Sequence, residues 1–394
     1  MGNETNITCD EVELSPEEIV YSKNCAWWIE NGGSLPVAIL GVFLNFISLL
    51  VLARPSMRSN FFNRLLFILD LCDITYLSCE IFEVFRSRYQ TFALQHTFVN
   101  FIYPVRSVAS GLSIIMTIVL SHERYQAITN PAQYRLRGSM NMTRRLCYYT
   151  IPLLFIGMLY YMPKFLDINV DEVMKCMNGT NATYIPIRNE VTPDASQYDN
   201  CTTTYDIIPT KLRLNYHYIL WYINVSNLLL TAIMPVSALA YLNWKIYISL
   251  NTFRERQPSH QSDSGSSEDR KNQTNDFKQT LILFSIVFVF VFCHALRIGL
   301  NINEFLSLPK VEEIHEKECN DPRTVWSSIG VPINQLLIII GSSSNFLIYS
   351  FFDPAFQQAL RQVLTIQSVV QRAAEINASH DIELHNVNAA DELN

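Results

Sequence analysis

Ionisable and amide side chains occur inside stretches of the chain that are otherwise apolar. Asp73 lies in one such stretch, Asn45 in an earlier one and Asn345 in a later one. A charged residue inside a membrane span costs ~2.5–3.5 kcal/mol on insertion scales, so its presence suggests a function. Hydrogen bonds that only hold helices together are the alternative, and for Asn45 both interpretations stay open.

Asp73 has candidate partners that could join it around one cation. Ser113, Ser342 and Asn345 would supply hydroxyl and amide oxygens. Oxygen-only ligands suit a hard ion such as sodium, and not zinc or copper. We therefore predict a sodium ion as an allosteric modulator and no other cofactor.

A second set of polar side chains lies nearer one end of the apolar stretches. Glu80 and Glu83 follow Asp73 within an arc of roughly 100° of one helix face, and Arg106 is a natural partner for either glutamate. The other members step along one face of a later apolar stretch: His294, Arg297, Asn301 and Glu304. The pattern predicts a charged, water-accessible cavity, with a purely structural salt-bridge network as the alternative.

The tripeptide Glu123-Arg124-Tyr125 closes the apolar stretch that contains Arg106. Arg124 lies about five helical turns deeper than Arg106, so both side chains point inward. Next to Glu123, Arg124 is expected to form a local ion pair, a latch that opens when a partner inserts. An arginine that only snorkels to the membrane surface is the alternative.

The composition of the chain indicates membrane-spanning helices, which would position these residues. The chain has 394 residues, 49% hydrophobic and 16% charged, whereas a soluble protein carries about 25% charged residues. Seven apolar runs are long enough to cross a bilayer, near residues 35–53, 63–85, 97–125, 146–162, 216–248, 279–305 and 325–352. Each must be helical because lipid offers no partner for free backbone groups. We predict an all-α membrane protein, a seven-transmembrane helix bundle.

Charge orients the chain. Acidic residues dominate residues 1–34, whereas basic residues crowd the short connections after the first and third spans. Basic short loops stay in the cytoplasm, which places the amino terminus outside and the carboxyl terminus inside. Five glycosylation sequons fall on the predicted outer side: Asn3, Asn6, Asn178, Asn181 and Asn200.

Five of the cysteines lie on the predicted outer side, where disulfides persist. They cannot all pair with one another, and connectivity cannot be read from a sequence. Our hypothesis pairs Cys25 with Cys319 and Cys176 with Cys201, which leaves Cys9 without a partner.

Six motifs, in order, resemble those of rhodopsin-class G-protein-coupled receptors: Asn45, Leu69 to Asp73, Glu123-Arg124-Tyr125, Pro131, Pro235, and Asn345 to Tyr349. The resemblance covers the seven spans and a short amphipathic helix after them, from Pro354 through Phe356 and Leu360. It implies an extracellular tail over residues 1–34, a receptor domain over 35–352 with a disordered inner loop at 254–276, an amphipathic helix at 353–370 and a cytoplasmic tail at 371–394.

Within the class the chain is most similar to the invertebrate FMRFamide-receptor group. The similar stretches include Arg54-Pro-Ser-Met-Arg-Ser59, Tyr161-Met-Pro-Lys-Phe165 and Leu300-Asn-Ile-Asn-Glu-Phe305. The resemblance implies an extracellular amidated neuropeptide of the RF-amide type as the ligand. Its candidate contacts are Glu80, Glu83, Tyr103, Arg106, Trp221, His294, Arg297, Asn301, Glu304 and Gln335.

Some positions depart from the class pattern. Val99 stands where most members have the cysteine that ties helix three to the second outer loop. Phe292 to Leu296 replaces the motif C-W-x-P, and Phe346 replaces the proline of helix seven. Arg106 stands where monoamine receptors have aspartate, which argues against a monoamine ligand.

The resemblance implies signalling through a heterotrimeric G protein, with Glu123, Arg124, Tyr125, Asn345 and Tyr349 as the activation residues. Arrestin, receptor kinases and membrane lipid are the other expected partners, and nucleic acid is not. A chemoreceptor of the same fold for small molecules stays open as an alternative. An ion or proton transporter is a weaker one because repeats and broken helices are absent from the sequence. No enzyme motif is present, so an enzyme is not expected.

Overall fold

The protein is a bundle of seven membrane helices, as the sequence predicts. The computed structural model describes residues 16–130, 133–134, 142–178, 181–186, 201–255, 267–316 and 325–365. In that part of the chain six helical stretches are long and apolar enough to cross a membrane: Val20–Leu52, Phe92–Thr129, Met142–Phe165, Tyr218–Ser249, Thr280–Leu306 and Ser328–Phe352. The second predicted span is the helix Phe61–Tyr89, whose acidic residues make it less apolar.

We label the membrane helices α1 to α7 in chain order. α1 comprises Pro16–Trp28, a π-helical turn Ile29–Ser34 and Leu35–Leu52. The short helix Pro55–Arg58 precedes α2, Phe61–Tyr89. α3 comprises Phe92–Thr97, the π-helical turn Phe98–Ile102 and Tyr103–Thr129. α4 is Met142–Tyr161, followed by the 3₁₀ turn Met162–Phe165.

The remaining helices complete the bundle. α5 joins two π-helical stretches, Tyr218–Ser226 and Leu228–Ile233, to Met234–Glu255. α6 is Ser267–Glu316, and α7 comprises Val325–Ser343 and Asn345–Phe352. Residues 354–365 are helical again after Asp353. Whether this last helix lies on the membrane surface stays a prediction.

Two helices begin earlier than the sequence predicts. α1 starts at Pro16 instead of near residue 35, and its first turn carries Glu17 and Glu18, which favour a helix amino terminus. α6 starts at Ser267, so the last part of the inner loop expected to be disordered, residues 267–276, is helical. Glu268, Arg270 and Lys271 in its first turns are good helix formers. Residues 256–266 lie outside the described part of the chain.

The loop between α4 and α5 adds a sheet that the all-α prediction lacked. Strands β1 (Ile168–Asn178), β2 (Asn181–Pro186) and β3 (Cys201–Pro209) form an antiparallel sheet in the order β2-β1-β3. β3 is rich in threonine and isoleucine, which favour strands. Hydrophobic periodicity alone did not separate this loop from irregular structure because most of its residues are polar.

The backbone of this sheet bears on two earlier hypotheses. The register places Cys176 opposite Cys201, so the predicted disulfide joins facing positions. Asn178 and Asn181 face each other at the turn between β1 and β2. Cys25 is a free cysteine among the described residues, and its bond to Cys319 stays a prediction. Cys319, Asn3, Asn6 and Asn200 lie outside the described residues.

Hydrogen bonds tie the sheet to the helices at the position where Val99 replaces the usual cysteine. The buried amide of Gln95 donates to the carbonyl oxygen of Tyr205 in β3 at 3.1 Å, and its side-chain oxygen accepts from Arg86 of α2 at 2.9 Å. The ring of Phe92 packs on that of Tyr205 at 5.1 Å. The loop is therefore held to α2 and α3 without a bond from Val99.

Close packing and polar contacts hold the bundle together, as expected where lipid removes the hydrophobic drive for helix association. A Cβ atom at Gly41 in α1 would lie 2.8 Å from the Cβ of Ser343 in α7, so only glycine permits this approach. Apolar side chains fill the inner half of the bundle, with Leu65, Leu120 and Leu239 fully buried. The functional residues are positioned by this framework.

Candidate functional site

An upper cavity of about 230 Å³ lies between the outer halves of the helices. Six helices contribute side chains, and the lining is rich in tyrosine and in charged and amide groups: Tyr76, Glu80, Tyr103, Arg106, Tyr160, Tyr161, Lys164, Tyr222, Asn227, Arg297, Asn334 and Gln335. The volume corresponds to on the order of eight waters. The structure thus confirms a polar cavity in the upper half of the bundle.

The predicted pairing of Arg106 with the α2 glutamates is confirmed. Arg106 Nη1 forms an ion pair with Glu83 Oε2 and lies 3.5 Å from Glu80 Oε1. Arg86 Nη2 approaches the other oxygen of Glu83 at 3.8 Å. Both glutamates are therefore neutralised inside the protein, which means that a cationic ligand has to exchange with Arg106.

A second ion-pair group, centred on Asp167, was missed by the sequence analysis. Its carboxylate is fully buried, and its Oδ2 accepts from the Tyr103 hydroxyl and from Lys164 Nζ, each at 3.0 Å. Arg213 Nη1 lies 3.6 Å from the same oxygen. The i, i+3 spacing of Lys164 and Asp167 was the available signal. Both residues follow the end of α4, however, where helical periodicity does not indicate which way a side chain points.

Three more predicted ligand contacts line the upper cavity. Tyr103 and Arg297 do so from α3 and α6, and Gln335 does so from α7, where its amide lies 3.4 Å from the Tyr76 hydroxyl. Tyr160, Tyr161 and Tyr222 were not anticipated. They are aromatic neighbours in space, with 5.5 Å between the ring centroids of Tyr160 and Tyr222.

Five of the ten predicted contacts do not line the upper cavity. Glu83 is connected to it through the ion pair with Arg106, and His294 lines a second cavity. The other three are Trp221, Asn301 and Glu304. Trp221 is 62% exposed on the outside of the bundle, so its prediction as a cavity aromatic was wrong. The π-helical turns of α5 bring Tyr222 to the cavity instead. Glu304 is exposed, and Asn301 is half-buried but does not line the cavity. Both lie beyond Arg297 toward the outer end of α6, past the level of the cavity.

A lower cavity of about 40 Å³ collects the residues predicted to hold sodium. Asp73, Ser113, Ser342 and Asn345 all line it. Ser113 donates to Asp73 Oδ1 at 2.8 Å, and Asn345 donates to Oδ2 at 2.7 Å. The space suffices for one ion or a water, and the oxygen-rich donor set fits a hard cation.

His294 belongs to this lower cavity and not to the upper one. Its ring packs on Phe290 at 4.3 Å between centroids. Asn45 of α1 donates to the carbonyl oxygen of Ser342 at 2.9 Å. This bond between α1 and α7 supports the structural alternative for Asn45, in which it only holds helices together.

At the inner end of the bundle, the predicted ion pair between Glu123 and Arg124 was wrong. Glu123 Oε2 pairs with Arg145 of α4 at 2.5 Å, and not with Arg124. The Arg124 guanidinium lies over the ring of Phe62 in α2, 3.9 Å from its centroid, while Tyr125 packs half-buried against the inner core. Adjacent residues on a helix point about 100° apart, so a partner on α4 meets Glu123 better than its neighbour does.

Arg145→Gln is expected to lower the stability of the receptor by ~3–5 kcal/mol, because it leaves Glu123 buried and uncompensated. Thermal unfolding of the purified protein measures the effect. Arg144→Gln is the matched control, since Arg144 is exposed and surface changes stay within about 0.5 kcal/mol. Equal melting temperatures for the two variants would show that the Glu123–Arg145 pair contributes no stability.

Tyr349 is held in a buried position by a residue that the sequence analysis did not single out. Its hydroxyl donates to Asp70 Oδ1 at 3.2 Å, and its ring packs on Phe356 with centroids 5.6 Å apart. Asp70 is fully buried one turn before Asp73. The spacing of these two acids in α2 was the signal that could have identified it.

Comparison with known proteins agrees with this arrangement. Residues 45–329 match the family of seven-transmembrane receptors of the rhodopsin type. The chain belongs to the rhodopsin family of seven-transmembrane receptors.

Three curated relatives are similar over most of this chain. An FMRFamide receptor of Drosophila melanogaster is 28% identical over 82% of this chain and 51% of its own length, so the chain spans about half of that relative. The FMRFamide peptide receptor frpr-18 of Caenorhabditis elegans is 20% identical over 84% of this chain and 68% of its own length. A probable G-protein coupled receptor of the same nematode, frpr-1, is 22% identical over 88% and 81%.

Proposed function

We propose that this receptor binds an extracellular amidated peptide that ends in Arg-Phe-amide, and that it signals through a heterotrimeric G protein. The observation that carries the proposal is the upper cavity, where Glu80 lies beside a group of tyrosines and Glu83 is paired with the lining residue Arg106. Relatives named as FMRFamide receptors support the ligand class. The amino terminus lies outside the plasma membrane in this proposal.

The ligand chemistry follows from the lining. The guanidinium of the peptide needs a carboxylate once it leaves water, because a buried charge is costly unless paired. Glu80 and Glu83 provide it after exchange with Arg106. The terminal phenylalanine needs an apolar or aromatic surface, which Tyr103, Tyr160 and Tyr222 provide.

Signalling requires the ligand to bind one arrangement of the bundle more tightly than the other. In this proposal the arrangement seen in the structure, with Tyr349 bonded to Asp70 and Glu123 to Arg145, is the resting one. In the active arrangement Arg124 is exposed at an inner opening, where it contacts the G protein. Receptor kinases and arrestin act on the cytoplasmic side after activation.

Sodium in the lower cavity stabilises the resting arrangement in this proposal. Asp73→Asn removes the charge that would attract the ion, so agonist affinity is expected to lose its dependence on sodium. The measurement is agonist competition binding in sodium chloride against equal N-methyl-D-glucamine chloride. An Asp73→Asn receptor that keeps the sodium effect of the parent would exclude this cavity as the ion site.

A screen of amidated peptides tests the proposed ligand class. Cells that express the full-length receptor are exposed to the library, with calcium and cAMP as readouts. We expect responses to peptides that end in Arg-Phe-amide and none in untransfected cells. Responses confined to peptides without the arginine, or to small molecules, would contradict the proposal.

A further inference from the structure

The guanidinium of Arg297 differs from the other cations around the upper cavity. Its hydrogen bond among the described residues is from Nη2 to the neutral amide oxygen of Asn227, at 3.2 Å. In the described part of the chain no carboxylate lies within ion-pair distance of it. Arg106 and Lys164, by contrast, each have an acidic partner.

The carboxylates around the cavity are already shared. Glu83 contacts both Arg106 and Arg86. Asp167 contacts both Lys164 and Arg213. Glu80, which lines the cavity, lies 3.5 Å from Arg106. Among the acids that the structure describes around the cavity, none is therefore left to neutralise Arg297 without breaking another pair.

The surroundings of Arg297 are polar but uncharged. Tyr160 and Tyr161 share the cavity with it, as do the amides of Asn334 and Gln335. A guanidinium carries five N–H donors in a planar fork that matches the two oxygens of a carboxylate. One donor is engaged by Asn227, so the others are available to a molecule in the cavity.

We propose that Arg297 binds a carboxylate of the ligand. The inference rests on the proposed peptide ligand and makes that peptide amphoteric. Its cation goes to the α2 glutamates, and its carboxylate goes to α6. Such a ligand gives Arg297 a carboxylate partner, which neither a purely cationic nor a neutral peptide does. The carboxylate comes either from an acidic side chain or from a free carboxyl terminus.

Paired peptides test this inference on the full-length receptor. Each pair ends in Arg-Phe-amide and differs by Asp or Asn at one preceding position. One further pair differs only by a free or an amidated carboxyl terminus. Potency is measured on the parent, on Arg297→Gln and on Lys211→Gln. Lys211 is an exposed residue before α5 and controls for the loss of an outer positive charge.

In one pair the carboxylate member is expected to be at least about tenfold more potent on the parent and on Lys211→Gln, the size typical of a buried charge pair. The preference is expected to disappear on Arg297→Gln. If the terminal pair shows it, the carboxylate is the peptide terminus. That outcome upholds the role of Arg297 and overturns amidation. Identical behaviour of all pairs on the parent and on Arg297→Gln would overturn the inference.

Two further measurements keep the inference testable if the Arg297→Gln receptor is not expressed or if no peptide is active. If Arg297→Gln does not reach the cell surface, Arg297→Lys replaces it and is expected to weaken the preference, since lysine lacks the planar fork. An unchanged preference would count against Arg297. If no peptide is active, the proposed function fails, and thermal unfolding decides the question of Arg297.

The probes for that last measurement are N-acetylphenylalanine and its amide, added to the purified full-length receptor. A ligand that binds the folded state raises the melting temperature. We expect the acid, and not the amide, to raise it for the parent, and neither to raise it for Arg297→Gln. No shift, or equal shifts for acid and amide, would overturn the inference.

Discussion

Glu83→Gln is expected to lower the potency of a peptide that ends in Arg-Phe-amide by about 30-fold or more. Truncating one partner of a buried charge pair costs ~2–5 kcal/mol, and the Glu83 side chain is 32% exposed, which places the effect near the lower limit. Glu80 is more buried but lies farther from Arg106. The measurement is the concentration dependence of G-protein activation.

An analogue with citrulline in place of arginine separates a ligand contact from an internal role. Citrulline has the shape of arginine without the charge, so its potency is expected to be low on the parent and little changed by Glu83→Gln. Glu304→Gln is the matched control because Glu304 is exposed and, unlike Glu83, is not paired with the lining residue Arg106. An equal loss for both peptides would mean that Glu83 serves only to hold Arg106.

Arg124→Ala is expected to abolish G-protein activation while agonist binding is largely retained. The residue lies at the inner end of α3, far from the upper cavity, and it is buried over Phe62. Loss of a charged contact in a protein interface costs ~2–5 kcal/mol, or roughly 30- to 5000-fold in affinity for the partner. Radioligand binding and nucleotide exchange on the same membranes measure the two effects.

Arg144→Ala controls for the loss of a positive charge at the same end of the bundle, since Arg144 is exposed on α4. It is expected to signal like the parent. Full signalling by Arg124→Ala would show that the activation mechanism of the family does not apply to this chain.

Much of the fold was predictable because lipid imposes strong constraints on sequence. Long apolar runs must be helices, and α2 was found as such a run although it carries four acids. The same reasoning located Asp73, Ser113 and Asn345 in one place, where the structure shows hydrogen bonds between them. It also paired Arg106 with Glu80 and Glu83.

The predictions were wrong where helical periodicity does not determine which way a side chain points or how far along the bundle it lies. Trp221 lies in a π-helical stretch of α5, where i→i+5 bonding changes the face that each residue presents. Glu304 lies on the expected face of α6 but above the cavity. Glu123 was assigned to its neighbour in sequence, whereas its partner Arg145 comes from another helix. Distances between helices are set by packing and cannot be read from one sequence.

The residues missed altogether are in loops or share a face with a better-known motif. Asp167 follows α4, and its partners come from three separate segments. Asp70 precedes Asp73 by one turn and was overlooked beside it. The sheet that covers the outer end formed from a polar loop, in which strand pairing depends on register rather than on an apolar run.

Nucleotide exchange by a purified G protein, with the full-length receptor reconstituted in vesicles, tests the central claim most directly. The claim is that the upper cavity receives a peptide through its guanidinium and that this event opens the inner end of the bundle. Phe-Met-Arg-Phe-amide is expected to accelerate exchange on the parent receptor, and its citrulline analogue is expected to have little effect. Equal stimulation by the two peptides, or none by either, would contradict the account.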